Sequence, residues 1–367
     1  MSAYVKLGHK VFILIIRPEH TEPRIRSFKE NGLDVTEIHP PSSLKIEGKR
    51  GLGKYINYLA CFPTVSKIAK EIIAKNKIDY VYSYMPGIGS SVPAIRVKSK
   101  HKLKLVLDFA DLHVYVRPKR IADSAFKEAD KILAITEYLK NELTSKAIEK
   151  NKIHILPNGV DLDLFDPIKY NQEEIQKLRS GFGADKIVMF VGALQDLNLI
   201  INSAEKVTKE LSSVKYVIIG DHRDPARSKD VWKHIVKEKG LEKYFEFLGK
   251  KPRDEITKYL LAADICLDSF PDEPYYAAAH PIKLLEYGAC QKAVVATRVS
   301  ETEKIIKHGV FGLLANPNNP AEYANHMLTL LNSSEMRLKM GKAFSDYVHT
   351  NFGWNKIASD LQTILQN

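Results

Sequence analysis

Short apolar runs rich in β-branched residues alternate with helically spaced apolar positions along almost the whole chain. Residues 9–16, 34–38, 80–84, 103–109, 131–135 and 153–156 read as strands in the first half. In the second half the strands are 187–191, 215–219, 245–248, 265–268, 293–296 and 312–314. Helical spacing fills the gaps, for example over 64–75 and 136–143, and runs from Pro320 to the end. Parallel strands need crossover helices, and those helices cover the sheet, so the strands become apolar on both faces. The alternation therefore predicts an α/β fold of doubly wound parallel sheets. Pro157-Asn158-Gly159 is the strongest break in the pattern, and a polar stretch follows it to Asn171. The 367 residues exceed one ordinary core, and domains of roughly 150 residues put two in the chain. The expected division is 1–165, 166–345, and a terminal helix, 346–367, packing back toward the first domain.

Composition narrows the class. An apolar share of 44% with 27% charged residues belongs to a folded globular chain. The longest apolar run, 11–16, is far short of the roughly 20 residues that span a membrane. No segment of signal-peptide form follows Met1, so the compartment is read as cytoplasmic. Cys61, Cys266 and Cys290 are too far apart to suggest a disulfide framework or a metal site. The net charge of +11 is uneven: residues 1–160 carry +12 and the remainder −1. Such a half is either a solvated lysine-rich surface or a face toward an anionic partner, a membrane surface or a phosphorylated acceptor. No nucleic-acid-binding motif accompanies the charge, and nucleic acid is not an expected partner.

Several motifs then occur in a fixed order. Ala129-Asp130-Lys131-Ile132 leads into Thr136-Glu137-Tyr138-Leu139, and Ile155-Leu156-Pro157-Asn158-Gly159-Val160-Asp161 precedes Phe165. Val191-Gly192-Ala193-Leu194, Val217-Ile218-Ile219-Gly220-Asp221 and Ala262-Ala263-Asp264-Ile265 follow. His280-Pro281-Ile282-Lys283-Leu284-Leu285-Glu286-Tyr287 and Ala293-Val294-Val295-Ala296-Thr297 come next, with Phe352-Gly353-Trp354 near the end. In this order they resemble the retaining glycosyltransferases of the group 1 (family 4) type over nearly the whole chain. The resemblance implies the GT-B fold, two Rossmann-like domains, with a nucleotide-sugar donor on the C-terminal one and the acceptor on the N-terminal one. It also implies chemistry that needs no metal or cofactor. UDP- or GDP-linked sugars are the expected donors, and a sugar, lipid-linked or phosphorylated molecule the expected acceptor.

By the same resemblance the donor contacts are Gly192, Ala193, Gly220, His222, Arg223, Leu248, Gly249, Lys250, Ala279, His280, Pro281, Ile282, Lys283 and Glu286. Pro281 suits the first turn of a helix, whose free N–H groups and positive dipole end attract a diphosphate. Glu286 is expected to accept from the ribose hydroxyls, and Lys283 to hold phosphate. The plain alternative is a surface ion pair between these two residues, three apart on one helix face. Asp111 is the candidate catalytic residue of the first domain, beside Lys283 and Glu286, and a turn or helix-capping carboxylate is its alternative. Asn158, Gly159 and Asp161 are read as structural.

Four departures from the family pattern are visible. The segment after Gly192 carries no cation, where the family has an arginine and then a Lys-Gly pair. His222, Arg223 and Lys283 are the candidate substitutes. Ala278 stands where a first glutamate is usual, and Cys290-Gln291-Lys292-Ala293 lacks the usual glycine and proline. Tyr4-Val5-Lys6-Leu7-Gly8-His9 matches the end of the family's first helix, so the family's first strand and glycine-rich loop are read as missing; either the start is assigned too late, the favoured explanation, or the N-terminal domain is incomplete. The functional expectation is transfer of a sugar to a hydroxyl acceptor with retention. A catalytically silent binding subunit and a nucleotide-sugar epimerase of the same fold are the alternatives.

Overall fold

The computed structural model describes residues 1–19, 23–41, 52–112 and 119–367. The chain divides into two compact units, Met1–Pro157 with Ile357–Asn367, and Asn158–Lys356. The division between the two units lies inside the Pro157-Asn158-Gly159 break.

The first unit holds β1 (Phe12–Ile16), β2 (Ile25–Glu30), β3 (Leu33–Ile38), β4 (Tyr80–Tyr84), β5 (Lys104–Phe109), β6 (Lys131–Ala134) and β7 (Ile153–Ile155). They form two sheets, β1-β3-β2 and β4-β5-β6-β7. All pairings are parallel except β2 with β3. Strand β2 is absent from the hydrophobic pattern because it is exposed at five of its six positions. Its signal was the Asn31-Gly32 turn, whose φ values of 50° and 80° suit a tight hairpin. Three helices, Pro320–Asn332, Ser334–Asn351 and Trp354–Gln366, fill the end of the chain. From the last of them, Leu361 and Leu365 pack with Val106 and Leu133 of the four-stranded sheet, and the Tyr80 hydroxyl donates to the Leu365 carbonyl.

The second unit is one six-stranded sheet of β8 (Lys186–Val191), β9 (Val214–Ile219), β10 (Phe245–Gly249), β11 (Ile265–Asp268), β12 (Val294–Thr297) and β13 (Gly312–Ala315). Its order is β10-β9-β8-β11-β12-β13, parallel throughout. The chain thus winds outward from β8 in one direction, then returns to β11 and winds outward in the other. Along β8, Val188 and Phe190 join the core on one face, while Ile187, Met189 and Val191 join the core on the other. Both faces are buried, as the uniform apolar runs require.

Two of the motifs turn out to be one device used twice. Asp130, just before β6, accepts the Leu105 N–H of β5 at 2.7 Å and pairs with Lys98 at 3.1 Å. Asp264, just before β11, accepts the Ile187 N–H of β8 at 2.7 Å and pairs with Arg179 and Arg337 at 2.7 and 3.2 Å. In each case a carboxylate closes the start of the neighbouring strand, where a backbone donor would otherwise go unpaired.

Candidate functional site

The winding reverses between β8 and β11, and side chains at the carboxyl ends of such strands flank the crevice where α/β sheets take ligands. Three glycines shape one side of it. Gly192, Gly220 and Gly249 follow or end β8, β9 and β10 with φ of 152°, 137° and 67°. Gly220 has no room for a side chain, since a Cβ there would lie 1.8 Å from the Gly192 carbonyl oxygen. The Gly192 N–H donates to Ile219 at 3.0 Å and the Gly220 N–H to Gly249 at 2.9 Å. The strand ends are laced into a ledge of bare backbone.

Helix Ile282–Ala289 brings its first turn to this ledge, with the Lys283 Cδ 3.6 Å from where a Gly192 Cβ would stand. No side chain caps that helix and no acid lies in its first turn. A cation at this end opposes the helix dipole, so something else must hold Lys283. Its ammonium lies 2.6 Å from Oδ1 of Asp268, the fully buried last residue of β11. It also sits 4.6 and 4.4 Å from the ring centroids of Phe190 and Phe270, within cation–π range. The pair offsets two burials, either of which alone would be costly.

Beside Lys283 is a cavity of about 10 Å³, the size of one water. Ala193, Gln195, Ser269, Phe270 and Tyr276 line it with Lys283. The Tyr276 hydroxyl donates to Gln195 Oε1 at 2.9 Å. Burial, with Glu273 adding to it and Arg227 opposing, pushes that phenol up to about 12, so it stays a neutral donor at physiological pH.

Glu286 stands one turn further along the helix with 12% of its side chain exposed. Burial pushes its carboxyl up to about 7 against the pull of Arg253. Arg253 Nη2 donates to Glu286 Oε1 at 3.0 Å. Lys283 and Glu286 therefore each pair with a residue from elsewhere, and the surface ion pair between them is not formed.

Residues 171–345 match the family of glycosyl transferases group 1, and residues 1–164 that of Glycosyltransferase Family 4. The chain belongs to the group 1, family 4 glycosyltransferases. An uncharacterised glycosyltransferase of Methanocaldococcus jannaschii is 26% identical over 93% of this chain and 87% of its own length. The D-inositol 3-phosphate glycosyltransferase of Corynebacterium efficiens is 26% identical over 67% of this chain, which spans 58% of that relative's length. Among solved structures, the Anabaena protein HepE in complex with UDP superposes with a TM-score of 0.70 at 18% identity, covering 91% of this chain and 86% of that one. Its complex with UDP-glucose gives 0.69 at 19%, covering 86% and 84%. The fold is the GT-B type.

In this glycosyltransferase the remaining expected residues fall into three groups. Ala279, His280, Pro281 and Ile282 form the entry to the helix. Pro281 is its cap rather than a residue of its first turn, because the helix begins at Ile282. His280 is buried, which pushes its imidazole down to about 4, and its carbonyl accepts from Asn158 Nδ2 at 3.1 Å. The signature asparagine thus pins the loop before the helix, and Asp161 Oδ1 accepts the N–H groups of Asp163 and Leu164 at 3.1 Å each.

His222 and Arg223 follow the Gly220 ledge. The His222 Nδ1 accepts the Asp224 N–H at 3.0 Å, and Arg223 is exposed. Neither lines the cavity; Lys283 does. Leu248 and Gly249 end β10, and Lys250 beyond them is exposed. The N–H groups of Lys229 and His222 hold the Asp221 carboxyl below its ordinary value.

Asp111 belongs to the first unit, just past the carboxyl end of β5 and next to residues 113–118, which lie outside the described residues. Its neighbour Asp108 accepts from the Tyr82 hydroxyl at 2.5 Å, and burial pushes the Asp108 carboxyl up.

Sequence reasoning missed Asp268, Phe270, Gln195, Tyr276 and Arg253. Asp268 had a signal, an acid closing an otherwise apolar strand at its carboxyl end. The other four had none.

Proposed function

We propose that this glycosyltransferase moves a sugar from a UDP- or GDP-linked donor to a hydroxyl acceptor with retention of configuration. The observation that carries the reading is Lys283, a cation held against the dipole of an uncapped helix, beside a ledge of bare backbone. A diphosphate on the ledge would take the helix N–H groups and share the ammonium with Asp268. That is the positive charge a departing nucleoside diphosphate needs. In this reading Lys283 replaces the cations absent after Gly192, and the reaction runs without a metal or cofactor. Tyr276 supplies a neutral hydroxyl for a sugar or phosphate oxygen, and Glu286 accepts from the ribose. The UDP and UDP-glucose complexes of the Anabaena relative support the donor class.

The first unit supplies the acceptor side, with Asp111 as its catalytic candidate. A phosphorylated or lipid-linked acceptor at an anionic membrane face suits the excess positive charge of residues 1–160. The name of the Corynebacterium relative, D-inositol 3-phosphate glycosyltransferase, supports the phosphorylated kind.

The test is incubation with UDP- and GDP-hexoses and phosphorylated polyols, following nucleoside diphosphate release and the anomeric proton of the product by NMR. The reading expects a product of unchanged anomeric configuration. It also expects Lys283→Met to lower kcat by roughly 10²- to 10³-fold, the loss typical of one fixed transition-state contact. An inverted product, or transfer indifferent to Lys283, contradicts it. The missing cations after Gly192 favour a second reading, a binding subunit without activity. Nucleotide binding with neither transfer nor donor hydrolysis would select that one.

A further inference from the structure

Glu286 is one of the few carboxylates in the second unit that is mostly buried, and its partner comes from a distant stretch of sequence. Arg253 opens helix Arg253–Ala262, directly after the loop that ends β10. Two contacts fix its guanidinium. Nη2 donates to Glu286 Oε1 at 3.0 Å, and Cζ lies 5.8 Å from the ring centroid of Phe165, a fully buried residue. With 61% of its side chain exposed against 12% for Glu286, Arg253 reaches inward from the surface.

We infer that Arg253 is a positioning residue of the donor site, aiming the Glu286 carboxylate and keeping it in the form that accepts hydrogen bonds. The inference rests on the reading that Glu286 accepts from the ribose of the nucleotide. An ionised carboxylate offers about four acceptor positions, so the bond from Arg253 leaves capacity for a pair of hydroxyls. A protonated one would lose part of that capacity and present a competing donor.

The surroundings leave this task to Arg253. Burial favours the protonated carboxyl, and Arg253 is the opposing charge. Tyr287, on the same helix, and Cys290, which caps its end, also feel Glu286, but burial holds both well above their ordinary values and they are neutral. His280, at the head of the helix, is neutral by burial. Lys283 is engaged by Asp268. Helix Ser334–Asn351 crosses at Gly288 with Phe344 and Val348, and β8 approaches with Val191, all apolar.

The experiment is calorimetric titration of the full chain with UDP, GDP and ADP from pH 6 to pH 9. It compares wild type, Arg253→Gln and Arg253→Lys, each with and without Glu286→Gln. An opposite charge this close shifts a carboxyl by about one pH unit or more. Arg253→Gln should therefore weaken binding about tenfold at pH 6, and the ratio to wild type should close toward one by pH 9. The nucleotide's own titration cancels in that ratio. Arg253→Lys should restore most of the loss at low pH, and in the Glu286→Gln background Arg253→Gln should change nothing. A ratio that does not vary with pH, or one that survives Glu286→Gln, overturns the inference and makes Arg253 a direct contact or a brace. Failure of the wild type to bind any of the three nucleotides overturns the donor-site reading, and the role of Arg253 with it.

Discussion

Lys283 and Asp268 show how a buried charge pair can be weak as a source of stability and strong as a constraint. Removing one partner strands the other, so Lys283→Met should destabilise the second unit by about 3–5 kcal/mol. Adding Asp268→Asn should recover much of that loss. Urea unfolding followed through Trp232, buried in the same unit, would show it; a loss below about 1 kcal/mol would mean the pair is solvated in solution. Glu286 makes a second prediction, of the opposite pH sense to a surface carboxylate. Its folded value of about 7 lies above the ordinary 4.5, so the folded state holds the proton more tightly. The stability this contributes is complete below pH 4.5 and is lost as the pH rises through 7. Glu286→Gln carries no such loss. Its stability relative to wild type should rise by about 3 kcal/mol between pH 4.5 and pH 8, read from paired thermal or urea unfolding curves. At this scale the sequence showed the residues whose types are chemically pointed, Lys283 and Glu286, but not their partners. Asp268 and Arg253 come from other elements, and only the winding of the sheet brings them near.

At the scale of elements, the glycines separate conformation from packing. Gly181, in helix Gln172–Gly181, has nothing within 4 Å of an added Cβ, whereas an added Cβ at Gly341, in helix Ser334–Asn351, would meet the Gln291 carbonyl oxygen at 2.0 Å. Alanine is better than glycine in a helix by up to about 1 kcal/mol. Gly181→Ala should therefore raise the melting temperature slightly and Gly341→Ala should lower it by several degrees, a difference of sign that one thermal-shift series would test. The strands were legible wherever burial on both faces made them apolar, and all twelve runs read from the pattern contain or overlap a strand of the structure. Strand β2 was not, because its fold is dictated by the Asn31-Gly32 turn and by pairing with β3 rather than by burial. The helix read over 64–75 is longer in the structure: it spans Leu52–Lys75 and carries Pro63 in its interior, a residue that usually breaks or kinks a helix.

For the whole molecule, the family was legible because its marks are backbone devices. Asp130 and Asp264 close strand starts and Asn158 pins a loop; such tasks leave little freedom in residue type. The charge imbalance belongs to this scale as well. If residues 1–160 face an anionic membrane, the chain should co-sediment with vesicles containing anionic lipid and be released as salt approaches about 0.5 M, where the screening length falls well below the roughly 10 Å of 0.1 M salt. Equal binding to neutral vesicles would instead make the basic half a solvated surface. The donor site at the carboxyl ends of β8 and β11 is the claim on which the rest depends. Titration calorimetry of the full chain with UDP, GDP and ADP, beside Glu286→Ala, tests it most directly. One of the three should bind the wild type, and the variant should lose about 1–3 kcal/mol of that affinity, the worth of a hydrogen bond to a charged group. Absence of binding to all three, or an affinity that Glu286→Ala leaves unchanged, would contradict it.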